Sequence, residues 1–263
     1  MKLKLAGAEL ACDVRGDGPV VLFLHAFPLD LSMWDPQAAA LEGTHRVVRF
    51  DARGFGGSPA GDGLLTMERI ADDAAALLDH LGASRAVVCG LSMGGYAAFA
   101  MVRRHADRLR GLVLADTRAA ADTPEARQNR SVLAEKVLKE GPSAAADAFV
   151  PKLLGATTHR ERTDLVVHVR EIAMRNPARG IADALAGLAA RADSLPTLRE
   201  IRVPTLVLCG DEDVLTPPSD AELLRRGIAG SRLEVIPRAG HLANLENPDA
   251  FNASLRRFLA ELG

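Results

Sequence analysis

Residues 85–105 read RAVVCGLSMGGYAAFAMVRRH, and the fold follows from how this stretch divides. Its first part, Ala86-Val87-Val88-Cys89, is a short apolar run rich in β-branched residues and closed by glycine, the pattern of a fully buried strand. Its last part has Tyr96, Phe99, Ala100 and Val102 near helical spacing, with Arg103, Arg104 and His105 in the last turn, where cations suit the helix dipole. Between them stands Gly90-Leu91-Ser92-Met93-Gly94, a G-x-S-x-G pentapeptide followed by Gly95. A serine on a sharp strand-to-helix turn has its hydroxyl thrust out of the sheet, so Ser92 is the candidate nucleophile. The pentapeptide alone is short, and glycine-serine turns are common. The strand before it and the helix after it give the motif its meaning.

The same alternation extends outward. Residues 20–24, 46–50 and 111–115 are apolar strand-like runs, and 66–82 carries the clearest amphipathic helix, with Thr66 as N-cap and Met67, Ile70, Ala74, Leu77 and Leu78 on one face. Strands at 205–209 and 232–236 and a helix from Asn247-Pro248 to Leu262 close the chain. Residues 2–5 and 9–15, flanking Ala6-Gly7, suit an opening hairpin, and a helix is expected from about Ser32 to Leu41. The result is an α/β fold with a mostly parallel sheet covered on both faces. The segment 118–202 breaks the alternation. It offers only helical patterns, near 125–139, 142–154, 163–174 and 177–192, and reads as a helical insertion dividing a core made of 1–117 and 203–263.

Composition narrows the class. The chain has 263 residues, 48% of them hydrophobic, and a net charge of −2, so nothing points to nucleic acid or an anionic membrane as partner. Its arginines are scattered among acids and read as solvated faces. Cys12, Cys89 and Cys209 are too few and too far apart for a zinc site or a disulfide framework, which suits a reducing compartment. Glu9 interrupts any signal-peptide core and no run is long enough to span a membrane, so a cytoplasmic protein is expected.

A seryl hydroxyl needs an imidazole to take its proton. Of seven histidines, His241 stands just after the last strand, in Pro237-Arg238-Ala239-Gly240-His241-Leu242. In a parallel sheet that loop opens on the same rim as Ser92. His25 closes an earlier strand and is a candidate for site lining. The imidazole in turn needs a carboxylate. Asp213, in Gly210-Asp211-Glu212-Asp213-Val214-Leu215-Thr216-Pro217, lies deepest in its loop with apolar residues behind it and is favoured. Asp211 and Glu212 read as loop contacts, and Asp116 at the end of its own strand is the alternative. Oxyanion donors are expected from the backbone of Met93 and Phe27, both of which should also line the pocket.

The chain resembles the α/β-hydrolase superfamily over nearly its full length. The resemblance rests on Gly90 through Gly95, on Asp51-Ala52-Arg53-Gly54-Phe55-Gly56-Gly57-Ser58, on Gly210 through Pro217, and on Gly240-His241. His25-Ala26-Phe27-Pro28-Leu29-Asp30 and Met33-Trp34 are similar to the branch of esterases, enol-lactonases and cofactor-free haloperoxidases, except that relatives usually carry glycine where this chain has Ala26. The resemblance implies an eight-stranded sheet with a helical cap at 118–202. It also implies a Ser92–Asp213–His241 triad, an acyl-enzyme and a small ester or lactone substrate, without metal or organic cofactor. The same triad serves C–C bond hydrolases, perhydrolases and acyltransferases, and a slow-turnover ligand receptor can keep the fold. The apolar faces of the helical segment should roof an enclosed pocket favouring short, mostly uncharged acyl groups.

Overall fold

The computed structural model describes residues 1–5 and 7–263. Eight strands, β1 (Lys2–Leu5), β2 (Ala8–Arg15), β3 (Val20–Leu24), β4 (Arg46–Phe50), β5 (Ala86–Leu91), β6 (Leu109–Ala115), β7 (Thr205–Gly210) and β8 (Arg232–Ile236), form one sheet in the order β1-β2-β4-β3-β5-β6-β7-β8. The β1–β2 and β2–β4 pairs are antiparallel and every later pair is parallel. The strands flanking the opening hairpin are as expected, while Ala6 in its turn lies outside the described residues.

The central strands are apolar without alternation because each buries both faces. In β3, Val21 and Phe23 join one core while Leu22 and Leu24 join the other, and β5 divides Val87, Cys89 and Leu91 from Ala86 and Val88 in the same way. Helices α1 (Asp35–Leu41) and α11 (Pro248–Leu262) cover one face, and α2 (Met67–His80), α3 (Met93–Arg104) and α9 (Pro218–Gly227) cover the other. A short helix, α10 (Ala243–Glu246), precedes α11. Thr66 caps α2 through its hydroxyl, which accepts from the Arg69 amide at 3.1 Å.

Two expectations need correction. The helix expected from Ser32 is a 3-10 turn, Leu31–Trp34, running into α1, because the Asp30 carboxylate accepts from the Ser32 amide and fixes a tighter start. The strand of the opening motif runs two residues past Cys89, to Leu91, so the turn is confined to Ser92.

Between β6 and β7 the chain is helical: α4 (Pro124–Glu140), α5 (Ser143–Leu153), α6 (Ala156–Glu161), α7 (Thr163–Met174) and α8 (Ala178–Ala190), then a 3-10 turn at Pro196–Glu200. This layer is tied to the sheet by polar contacts. Arg175 clamps the buried Asp30 with bonds of 2.6 and 2.8 Å, Asn176 accepts from the Gly56 amide at 2.7 Å, and Glu246 accepts from the Gly155 amide at 2.7 Å and the Thr158 hydroxyl at 2.6 Å.

Candidate active site

Ser92 sits between β5 and α3 at φ 55° and ψ −111°, a left-handed backbone that a serine adopts only when its surroundings enforce it. Its amide donates to the Ala115 carbonyl at 3.0 Å, and its carbonyl accepts from the Tyr96 amide and the Thr117 hydroxyl. The turn leaves no room beside it. A Cβ on Gly94 would stand 2.1 Å from the Leu24 carbonyl oxygen, so only glycine lets α3 start this close to β3.

The loops after β7 and β8 bring two further groups to Ser92. His241 Nε2 lies 2.8 Å from Ser92 Oγ, and His241 Nδ1 lies 2.8 Å from Asp213 Oδ2. With the Nδ1 proton donated to Asp213, Nε2 carries the lone pair that can take the seryl proton. All three groups come from the carboxyl ends of strands, and Asp213 and His241 are both buried. Burial pushes the Asp213 carboxyl up, but the His241 charge and the hydrogen bonds from His241 and Thr216 outweigh it and hold it below the usual carboxylate range. Those bonds are tight: Thr216 donates its hydroxyl at 2.7 Å and its amide at 3.0 Å, and the Leu215 amide donates at 2.8 Å. Of the two apolar residues behind Asp213, Val214 is 70% exposed and only Leu215 packs against the core.

The competing acids are placed elsewhere. Asp116 accepts from the Gly210 amide at 2.8 Å, Asp211 accepts from the Ala239 amide at 3.2 Å, and Glu212 accepts from the Thr157 amide at 2.7 Å. The loop bearing His241 is itself pinned from two sides. Glu246 accepts from the Gly240 amide at 2.8 Å, and the Leu242 amide donates to the Leu153 carbonyl. A Cβ on Gly240 would stand 2.3 Å from the Gly155 nitrogen, so the contact between this loop and the helical layer also requires glycine.

Met93 is the first residue of α3, where helix-start amides have no intrahelical acceptor. Phe27 follows β3, and among the described residues no acceptor lies on its amide. Ala26 keeps a negative φ and is fully buried, its amide facing Met33 Sδ at 3.1 Å, so the loop accommodates alanine there. His25 does not line the pocket that holds Ser92. Its Nδ1 donates to the Ala26 carbonyl, its Nε2 accepts from the Ala52 amide, and its ring packs 5.3 Å from Phe55, so it braces two loops below the site.

Ser92 and His241 open into a cavity of about 70 Å³. Phe27, Met93 and Tyr96 from the core face Phe149, Leu153 and Leu188 from the helical layer, with the Phe27 and Phe149 rings edge to face at 5.1 Å. Not every apolar residue of the helical layer is covered: Val132, Leu138 and Val167 are exposed. Arg118 and Arg130 also stand on the wall, which corrects the expectation of arginines confined to solvated faces and of an uncharged pocket. Their shared partner Asp122 is near in sequence, four residues from Arg118 and eight from Arg130, but nothing in that spacing says that the cluster faces the pocket.

Among the described residues no helix is long and apolar enough to cross a membrane. A model of the α/β-hydrolase fold family matches residues 19–248. The chain belongs to that family. It is 31% identical to 3-oxoadipate enol-lactonase 2 of Acinetobacter baylyi, over 93% of this chain and 91% of that one. Among solved structures it is similar to a thermophilic esterase of Thermogutta terrifontis, determined with malate bound, at 42% identity and a TM-score of 0.97 over 100% of this chain and 99% of that one. It is likewise similar to the enol-lactonase of Burkholderia xenovorans LB400, at 34% identity and a TM-score of 0.92 over 99% and 100%.

Proposed function

We propose that this protein hydrolyses carboxylic esters or lactones by nucleophilic catalysis at Ser92. One observation carries the reading: the unbroken hydrogen-bonded chain from Ser92 Oγ through His241 to Asp213, with both links at 2.8 Å, beside an accessible cavity. The esterase and enol-lactonases to which the chain is similar agree with it.

In the first half-reaction Ser92 Oγ attacks the substrate carbonyl carbon while its proton passes to His241 Nε2. Asp213 holds the imidazole in the right tautomer and steadies the cation that forms. The tetrahedral oxyanion is met by the Met93 and Phe27 amides, which are fixed in place before substrate arrives and so cost little reorganisation. Collapse breaks the bond to the leaving oxygen, which takes the proton from His241, and an acyl-serine remains. From a lactone the leaving hydroxyl stays tethered to the acyl group. Water then attacks the acyl carbon, His241 takes its proton, and a second collapse returns that proton to Ser92 Oγ and frees the acid. No step calls on a metal or an organic cofactor. The helices of 118–202 act as a cap: they roof the serine, exclude bulk water and limit the acyl group to a small one.

A serine-directed fluorophosphonate should label Ser92 stoichiometrically. Ser92→Ala should lower kcat on a chromogenic acetate ester by roughly 10⁴–10⁶ with the circular dichroism spectrum unchanged. Labelling at another residue, or an active alanine variant, would overturn the assignment.

A further inference from the structure

The residues lining the cavity include two guanidinium groups and no carboxylate. A pocket for neutral esters has no use for that charge, so what occupies Arg118 and Arg130 matters. Both reach Asp122, whose side chain is wholly buried. So does Arg191, from just after α8. Three cations therefore converge on one carboxylate, at 2.6 Å for Arg191, 2.5 Å for Arg130 and 3.1 Å for Arg118.

The three are not equivalent. Arg191 is 3% exposed in its side chain, stacks on the Tyr96 ring at 4.3 Å and donates to the Ala120 carbonyl, so it belongs to the framework. Arg118 makes the longest of the three contacts, to the same Asp122 oxygen that Arg191 already holds. Among the described residues Asp122 is its one ion-pair partner, and its Nε is buried without any hydrogen-bond partner. Asp220 acts on Arg118 only through longer-range charge. The Arg118 side chain is nonetheless 31% exposed on the pocket wall with one hydrogen bond to Asp122, so its guanidinium keeps donors that a carboxylate can accept from.

We propose that Arg118, supported by Arg130, recognises a free carboxylate on the substrate, so that the preferred substrates are esters or lactones that keep one anionic carboxylate beside the bond being cleaved. The proposal rests on the hydrolase reading above and specifies its substrate class. Arg191 and Asp122 hold the layer in place, while Arg118 carries the positive charge that the protein itself leaves incompletely paired.

Two matched pairs test the proposal and separate the two possible positions of the carboxylate. Monomethyl glutarate against methyl pentanoate places it on the acyl side, and 4-acetoxybutyrate against butyl acetate places it on the alcohol side. In one pair at least, kcat/KM for the anionic member should exceed that of the neutral member by about tenfold or more, and Arg118→Gln should bring the ratio close to one. Arg118→Lys, which keeps the charge and loses the fork, should fall between. Calorimetry with glutarate, which has no bond to cleave, reads recognition without turnover: the wild-type chain should bind it, less tightly at high salt, and Arg118→Gln should not. Brisk hydrolysis with the neutral member preferred in both pairs overturns the carboxylate site and leaves the hydrolase reading standing. Glutarate binding with no turnover of any of the four overturns the hydrolase reading and leaves the anion site. Neither turnover nor binding overturns both. Should Arg118→Gln fail to fold, the wild-type ratios and the wild-type glutarate titration still decide.

Discussion

The loops that leave β6 and β7 each hold a buried aspartate close to the strand end, and the two carboxylates behave in opposite ways. Asp116 is fully buried. Burial pushes its carboxyl well above the usual range, the charge of Asp213 adds to the push, and the backbone amides of Gly210 and Ala243 do not compensate. Asp213 is 4% exposed, and burial acts on it in the same direction, yet its carboxyl is held low. The difference lies in the donors. The β7 loop turns so that two amides, the Thr216 hydroxyl and the His241 ring all face Asp213. Burial with few donors works against the carboxylate form, and burial inside a ring of donors favours it.

The sharpest way to break this comparison is to exchange each carboxylate for its amide. Asp213→Asn should lower kcat by roughly 10⁴, because the amide presents an N–H to His241 Nδ1 or leaves the ring in the wrong tautomer. Asp116→Asn keeps an oxygen for the Gly210 amide and should change kcat by less than about tenfold. Steady-state rates on a short chromogenic ester decide, and a crippled Asp116→Asn beside an active Asp213→Asn would reverse the roles assigned to the two loops.

What could be read from the chain alone follows the reach of the interactions. The strand–Ser92–helix turn is local, so spacing within 85–105 revealed it. The parallel sheet fixed which loops share a rim, and that placed His241 and made the β7 loop the favoured source of the acid. Helix α9 was missed although Pro218 at its start, Asp220 in its first turn and Arg225 and Arg226 in its last were legible signals. Helix α6 had no such signal: it is six residues long and is held by Glu246 at the end of α10 and by Glu212 in the β7 loop, both distant in sequence. The arginines of the pocket were misread for a related reason. Arg118 and Arg130 lie close to Asp122 in sequence, but the burial of that carboxylate and its contact with the distant Arg191 come from the tertiary fold.

Removing a single donor sharpens the comparison. Thr216 gives Asp213 its shortest bond and lies 3.2 Å from His241 Nδ1, and Asp116 has no counterpart to it. Thr216→Val keeps the shape, deletes the hydroxyl and should lower kcat by about tenfold, through a carboxylate that orients the imidazole less firmly. Thr216→Ser should restore most of the rate. A valine variant as fast as the wild type would mean that the two backbone amides suffice.

The smallest effect expected is on stability against pH, and here the two aspartates should differ in sign. The folded-state value of Asp213 is depressed, so its contribution is present above the ordinary carboxylate range and is lost as pH falls through the folded value, below about 4. The folded-state value of Asp116 is raised, so its favourable contribution is present below the ordinary range and is lost as pH rises towards the folded value. Replacing Asp116 by asparagine removes a group that is costly to ionise where it sits. Melting curves of Asp116→Asn and wild type should therefore coincide best near pH 4 and diverge as pH rises, with the variant a few degrees more stable by pH 8. Asp213→Asn should show the opposite trend, losing most against the wild type at neutral pH and converging on it in acid. If Asp116→Asn instead lost stability steadily with rising pH, Asp116 would be ionised in the folded protein, and the contrast between the two loops would come from charge pairing rather than from hydrogen-bond donors.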